Sequence, residues 1–158
     1  MKILIMLFPI LFFITSCSRN DYSRDYTYGG DGLIHDTKTK KLYSGKIIDT
    51  TDTFIMEVDV KEGKKNGLYK IYDLKGNKHM QGSMKDNLNE GKWVYFYSNG
   101  QVESEGVFIN DMAEGRWIFY YPNGIKCEEG DFAKGLRNGK WIFYDTLGNV
   151  DSLIVFTD

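Results

Sequence analysis

Glu114-Gly115-Arg116-Trp117-Ile118-Phe119-Tyr120-Tyr121-Pro122-Asn123-Gly124-Ile125-Lys126-Cys127-Glu128-Glu129-Gly130-Asp131-Phe132 reads as one β-hairpin. The aromatic run from Trp117 to Tyr121 suits a strand, because large and branched side chains fit a pleated surface. Tyr121-Pro122-Asn123-Gly124 then reads as a turn. Proline suits the first inner position of a type I turn, asparagine tolerates the second, and glycine takes the left-handed position that makes a G1 bulge. The second strand is expected from about Ile125 to Phe132, followed by a polar loop, Lys134-Gly135-Leu136-Arg137-Asn138.

The same pattern recurs with a step of 24 residues. Gly67, Gly91, Gly115 and Gly139 are spaced by 24. Two residues after each glycine stands a ring: Tyr69, Trp93, Trp117 and Trp141. Nine after it is another glycine, namely Gly76, Gly100, Gly124 and Gly148. Fifteen after it stand Gly82, Gly106 and Gly130, with Ile154 in the last unit. Seventeen after it stand Met84, Phe108, Phe132 and Phe156. One hairpin is marginal in water, so units with this register are expected to stack and share a sheet. The fold class read from this is all-β: an elongated, twisted antiparallel sheet of tandem 24-residue β-hairpin repeats.

Side chains alternate along a strand. Trp117, Phe119 and Tyr121 therefore face one way, and Ile118 and Tyr120 the other. With the turn near Asn123-Gly124, Gly130 falls opposite Trp117, leaving room for that indole to lie across the neighbouring strand. The rings read mainly as packing between hairpins. Tyr97 and Tyr121 stand out as a possible ligand surface, because Asp73 and Asp145 replace them in other units, and a buried layer accepts aspartate poorly.

The domain organisation follows from the same period. Residues 67–158 hold four repeats, at 67–90, 91–114, 115–138 and 139–158. A divergent first hairpin and cap occupies 33–66, where Leu42–Ile48 and Phe54–Val60 look like strands. Residues 17–32 are polar and read as a flexible tether. Residues 1–16 read as a signal peptide. Met1-Lys2 is followed by twelve nearly all apolar residues, Ile3 to Ile14. That stretch is short for a bilayer span and suits an h-region. Ile14-Thr15-Ser16-Cys17 resembles the bacterial lipobox, which implies lipid attachment, with palmitate-type chains, at Cys17. Two or more acyl chains anchor a protein firmly.

Charge and motif content narrow the function. The net charge is −2 and no basic run stands out, which argues against nucleic acid as a partner. No metal, cofactor or catalytic motif of a known spacing is present. The two histidines, His35 and His79, lie in different units. Glu103, Glu105, Glu128 and Glu129 could form an acid–base pair, but they sit on polar strand positions and read as solvated. If Cys17 carries lipid, Cys127 has no intrachain partner, and it reads as a small strand residue.

Glu105-Gly106-Val107-Phe108, then Glu114-Gly115-Arg116-Trp117, then Tyr121-Pro122-Asn123-Gly124 resembles the MORN repeat, and more closely a bacterial variant labelled antitoxin-like. Tryptophan stands here where typical MORN units carry the second glycine of a Gly-x-Gly pair. The resemblance covers 67–158 well and 42–66 faintly, and implies a sheet of consecutive hairpins with a scaffolding or binding role rather than catalysis. The expected function is thus a membrane-anchored envelope lipoprotein, a non-enzymatic module binding a protein or envelope polymer on the extracytoplasmic side. The alternative is an antitoxin or immunity-type protein that neutralises a toxin by binding it. The free edges of an open sheet also invite self-association.

Overall fold

The computed structural model describes residues 24–157. Twelve strands follow one another: β1 Tyr26–Tyr28, β2 Ile34–Asp36, β3 Gly45–Thr50, β4 Phe54–Lys61, β5 Lys64–Asp73, β6 Lys78–Lys85, β7 Leu88–Phe96, β8 Val102–Ile109, β9 Met112–Tyr120, β10 Lys126–Ala133, β11 Leu136–Tyr144 and β12 Val150–Phe156. Strands β3 to β12 form one ten-stranded antiparallel meander in strict chain order, and β1 pairs with β2 alone. Among the described residues no helix is long and apolar enough to cross a membrane. The family of hairpins expected from the 24-residue step is therefore present, and each unit adds two strands to one long sheet.

The two ends of every hairpin close by different turns. At one end Tyr121 N–H donates to the Ile125 carbonyl (2.7 Å) and Gly124 N–H to the Tyr121 carbonyl (2.8 Å), with Gly124 at φ 84°. That is the type I turn with a G1 bulge that Pro122-Asn123-Gly124 predicts. The other end differs from expectation. Lys134 and Gly135 have φ 51° and 82°, both positive, as a two-residue type I′ turn requires. Strand β11 begins immediately at Leu136, so Leu136-Arg137-Asn138 is strand and not a polar loop. Asp86-Asn87 and Asn110-Asp111 turn in the same way. The connection between units is thus as tightly registered as the hairpin within a unit.

The N-terminal portion also departs from the sequence reading. Residues 26–28 lie within the expected tether, yet they pair with β2 in the register Tyr26↔Asp36 to Tyr28↔Ile34. Tyr26 and Ile34 are buried in a cluster with Ile47, Met56, Val58 and Val60. Ile34 N–H donates to the Gly63 carbonyl and Gly63 N–H to the Tyr43 carbonyl, both at 2.8 Å, which seals this small cap onto the first type I′ turn. Apolar burial of Tyr26 and Ile34 explains why the polar-looking residues 26–28 form a strand.

Candidate functional site

One face of the sheet is filled by its own rings. Trp93, Trp117 and Trp141 are 3%, 5% and 0% exposed. Each indole lies over a glycine of the preceding strand: Trp93 over Gly82, Trp117 over Gly106 and Trp141 over Gly130. A Cβ on any of those glycines would overlap the indole Cδ2 and Cε2. Each indole N–H also donates to a carbonyl one residue further along that strand, at Ser83 (3.1 Å), Val107 (3.2 Å) and Asp131 (3.1 Å). Phe108 meets Trp117 and Phe132 meets Trp141 edge-to-face, both with centroids 5.1 Å apart. The result is one continuous ring column from Tyr69 to Phe156. The register Gly130↔Trp117 is as expected. The ring covering Gly130, however, belongs to Trp141 of the next unit, so the contact joins hairpins instead of closing one.

The indole sits so close because the chain bulges just before it. Between Glu129↔Ile142 and Asp131↔Asn138, three residues of β11 oppose the single residue Gly130. Gly139, with φ 65°, adopts the left-handed conformation within that bulge. Gly91 and Gly115 hold the equivalent positions, at φ 76° and 65°, and Gly67 the first, at φ 121°.

The opposite face carries ion pairs and exposed apolar groups. Lys92 pairs with Glu105 at 2.7 Å, and Arg116 with Glu129 at 3.3 Å. The Tyr120 hydroxyl donates to Glu105 (3.0 Å) and the Tyr144 hydroxyl to Glu129 (2.6 Å). The Lys92 ammonium, as the strongest influence, holds the Glu105 carboxyl below its usual range. Burial pushes Glu129 up, but the Tyr144 hydrogen bond and the Lys126 and Arg116 charges outweigh it and leave its carboxyl lowered. Burial, then the bond to Glu105, pushes the Tyr120 phenol up to about 12.

Leu68, Leu88, Val107, Ile109, Met112, Leu136 and Leu153 are exposed, and strand alternation places all of them on this face. Two shallow hollows open here. One, of about 320 Å³, is lined by Leu68, Lys70, Gln81, Ser83, Lys92 and Val94. The next, of about 270 Å³, is lined by Lys92, Glu105, Val107, Arg116 and Ile118. Lys92 stands between them. Each hollow is lined by both apolar and charged side chains. Among the described residues no group of His, Cys, Asp or Glu is arranged to hold a metal.

Tyr97 and Tyr121 are not the exposed contacts that the aspartate substitutions suggest. Both are half-buried. The Tyr97 hydroxyl donates to the Tyr120 carbonyl (2.6 Å) and the Tyr121 hydroxyl to the Tyr144 carbonyl (2.7 Å). They tie one hairpin to the next. Asp73 and Asp145 instead close their own turns, each accepting from the backbone N–H two and four residues on. Aspartate is accepted there because it satisfies the turn locally, not because the site is open.

The remaining candidates fall apart by geometry. Glu128 bonds Arg137 at 2.6 Å on the indole face, and the Arg137 guanidinium lies 3.9 Å over Trp141. Glu105 and Glu129 face the other way. His35 bonds Asp31 at 2.9 Å. Cys127 is the extra residue of a bulge between Lys126↔Tyr120 and Glu128↔Phe119, and burial pushes its thiol up. Cys17 and the segment expected to be a signal peptide, residues 1–16, lie outside the described residues.

Sequence reasoning missed Leu68, Lys92, Val107 and Arg116. Their phase, odd with respect to the tryptophans, was visible. Which face would bury itself was not. In comparison with known proteins, the family described as MORN repeat variant matches residues 89–110 and 113–134, two adjacent units. No curated protein matches the chain.

Proposed function

We propose that this chain is a non-catalytic binding module held on the outer side of a membrane by lipid on Cys17. It presents the ion-pair face of its sheet to a protein or envelope polymer. One observation carries the reading: the indole face satisfies itself ring by ring, while exposed leucine, valine, isoleucine and methionine side chains collect on the opposite face beside fixed charges. A stable apolar patch with polar neighbours on a rigid scaffold marks an interaction surface. The repeat match at 89–134 supports a scaffold built for presentation.

The test is a photo-crosslinking amino acid placed at Val107 or Leu68 of the full chain in the producing cell, with the turn residue Ser98 as control. A discrete adduct from Val107 and Leu68 but not Ser98 is expected. Adducts from Ser98 alone, or from none of the three, would overturn the reading. A toxin captured at Val107 would shift it to the neutralising role. Cys17→Ser should move the chain from the membrane to the soluble fraction; unchanged fractionation would remove the anchor.

A further inference from the structure

The two edges of the ten-stranded sheet are unlike. The β3 edge is guarded by charge. Lys46 pairs with Asp59 (3.1 Å), Asp49 pairs with Arg24 (3.1 Å), and the Tyr43 hydroxyl donates to the Lys46 carbonyl (3.3 Å). The β12 edge, Val150-Asp151-Ser152-Leu153-Ile154-Val155-Phe156, carries a single ionisable side chain, Asp151. Val150, Leu153, Ile154 and Val155 are 65%, 48%, 46% and 61% exposed. An exposed, apolar, strongly β-forming edge is a template for another strand.

A further hairpin of the same kind would not fit there. The three junctions between the 24-residue units each set an indole over a glycine, and in β12 the glycine position is Ile154. A tryptophan arriving as Trp141 does over Gly130 would meet a branched side chain. The edge is therefore open to a strand but closed to a unit that opens with tryptophan, as the three preceding junctions do.

We infer that β12 pairs antiparallel with β12 of a second copy of the chain. Pairing centred on Ile154 sets Ile154 against Ile154 of the partner subunit, and Leu153 against Val155 of the partner subunit. Apolar groups then meet apolar groups on both faces, and the two Asp151 carboxylates lie at opposite ends of the junction. A two-fold axis normal to the sheet keeps both ring columns on one side, with the paired Ile154 side chains between their Phe156 ends. Because the β3 edge is guarded, the association closes as a dimer and does not propagate into a fibre.

The test uses the full chain purified in detergent, with Cys127→Ser removing the free thiol and Ile154→Cys added. Mild oxidation is expected to give a covalent species of twice the chain mass. The Cys127→Ser parent and a Thr50→Cys control on the β3 edge should give none. Adding Val155→Lys should lower the dimer yield at least tenfold while the circular dichroism spectrum and Tm stay unchanged. No dimer from Ile154→Cys, equal yield from Thr50→Cys, or an adduct of another mass would each overturn the pairing. So would a yield insensitive to Val155→Lys in a folded chain.

Discussion

Gly130 shows how much one missing methyl group decides. Trp141 covers it, donates to the Asp131 carbonyl and meets Phe132 edge-on, so a side chain at 130 would displace a ring that touches three neighbours. Overpacking of this kind costs about 1–3 kcal/mol. Gly130→Ala should therefore destabilise the chain by about that amount, and Gly30→Ala, where a Cβ meets nothing within 4 Å, by under about 0.5 kcal/mol. The partner is identified by a double-mutant cycle in urea. Trp141→Phe should couple to Gly130→Ala by about 1 kcal/mol or more, and Trp117→Phe by clearly less; the reverse order would return the contact to the hairpin's own indole. The register Gly130↔Trp117 was legible from the turn, but the covering ring was not. Lys134 to Asn138 looked like a loop, which hid the two-residue turn that brings Trp141 alongside. The same scale holds a pH dependence. Burial raises Glu129, yet its bond from Tyr144 and the Lys126 and Arg116 charges lower it on balance. A depressed folded-state carboxyl contributes stability above its unfolded value, and that contribution is lost as pH falls through the folded value. Thermal melts of the wild type and of Glu129→Gln should therefore differ most near neutrality and converge from about pH 4.5 downward. A constant gap between them would mean that the charge on Glu129 does not contribute.

Turns set the difference between a pile of hairpins and one sheet. At the type I ends, Tyr121 and Asn123 reach forward to the carbonyls of Tyr144 and Thr146, as Tyr97 and Asn99 reach to Tyr120 and Pro122. At the type I′ ends, the Asp111 carboxylate accepts from Asn89 N–H (2.6 Å), and Glu114 accepts from Lys134 N–H (2.8 Å). Both margins of the sheet are thus laced from unit to unit. None of this lacing was visible in the sequence, because it depends on a turn 20 to 23 residues away arriving at hydrogen-bond distance. What the sequence did show was a substitution, Asp for Tyr, whose cause was read as exposure. The structure shows a change of hydrogen-bond partner instead. Tyr121→Phe removes one such tie while leaving its ring in place. A net hydrogen bond contributes about 0.5–1.5 kcal/mol, so stability should fall by about that much. Amide exchange at Leu147 and Gly148 should speed up in step, while exchange at Ile71 and Val94 stays as it was. Uniform acceleration across all four would show that the hydroxyl acts on global stability alone and does not fasten the neighbouring turn.

At the level of the molecule, the sheet is nearly one-dimensional: each strand of the meander touches its two neighbours in chain order. The fold class was legible in full because a period of 24 residues constrains every unit at once. The cap was legible only in part, because Tyr26 and Ile34 follow no period and are held by contacts with β3 and β4. The boundary at Val58 and Tyr69 carries the same logic in altered form. Valine occupies the glycine slot there, and the facing ring is the smaller tyrosine. One-dimensional order makes a specific demand. Removing residues 91–114 joins Glu90 to Gly115 and deletes one whole unit. Trp117 then falls over Gly82, where Trp93 lay, and Met84 takes the place of Phe108 beside it. Glu90 takes over from Glu114 as acceptor for Lys134 N–H. Every junction is replaced by one of the same kind, so the shortened chain should fold with eight strands in its long sheet and an unchanged strand signature by circular dichroism. It should melt cooperatively at a lower temperature, since it has lost one set of nearest-neighbour contacts. Removing only 103–114 joins a strand running one way to a bulge meant for the other. That reverses the direction of everything downstream and puts the indoles on the wrong face. The half-unit deletion should fail to give a cooperative transition. Equal stability for the two deletions would mean that the period is decoration on a sheet held together by something else.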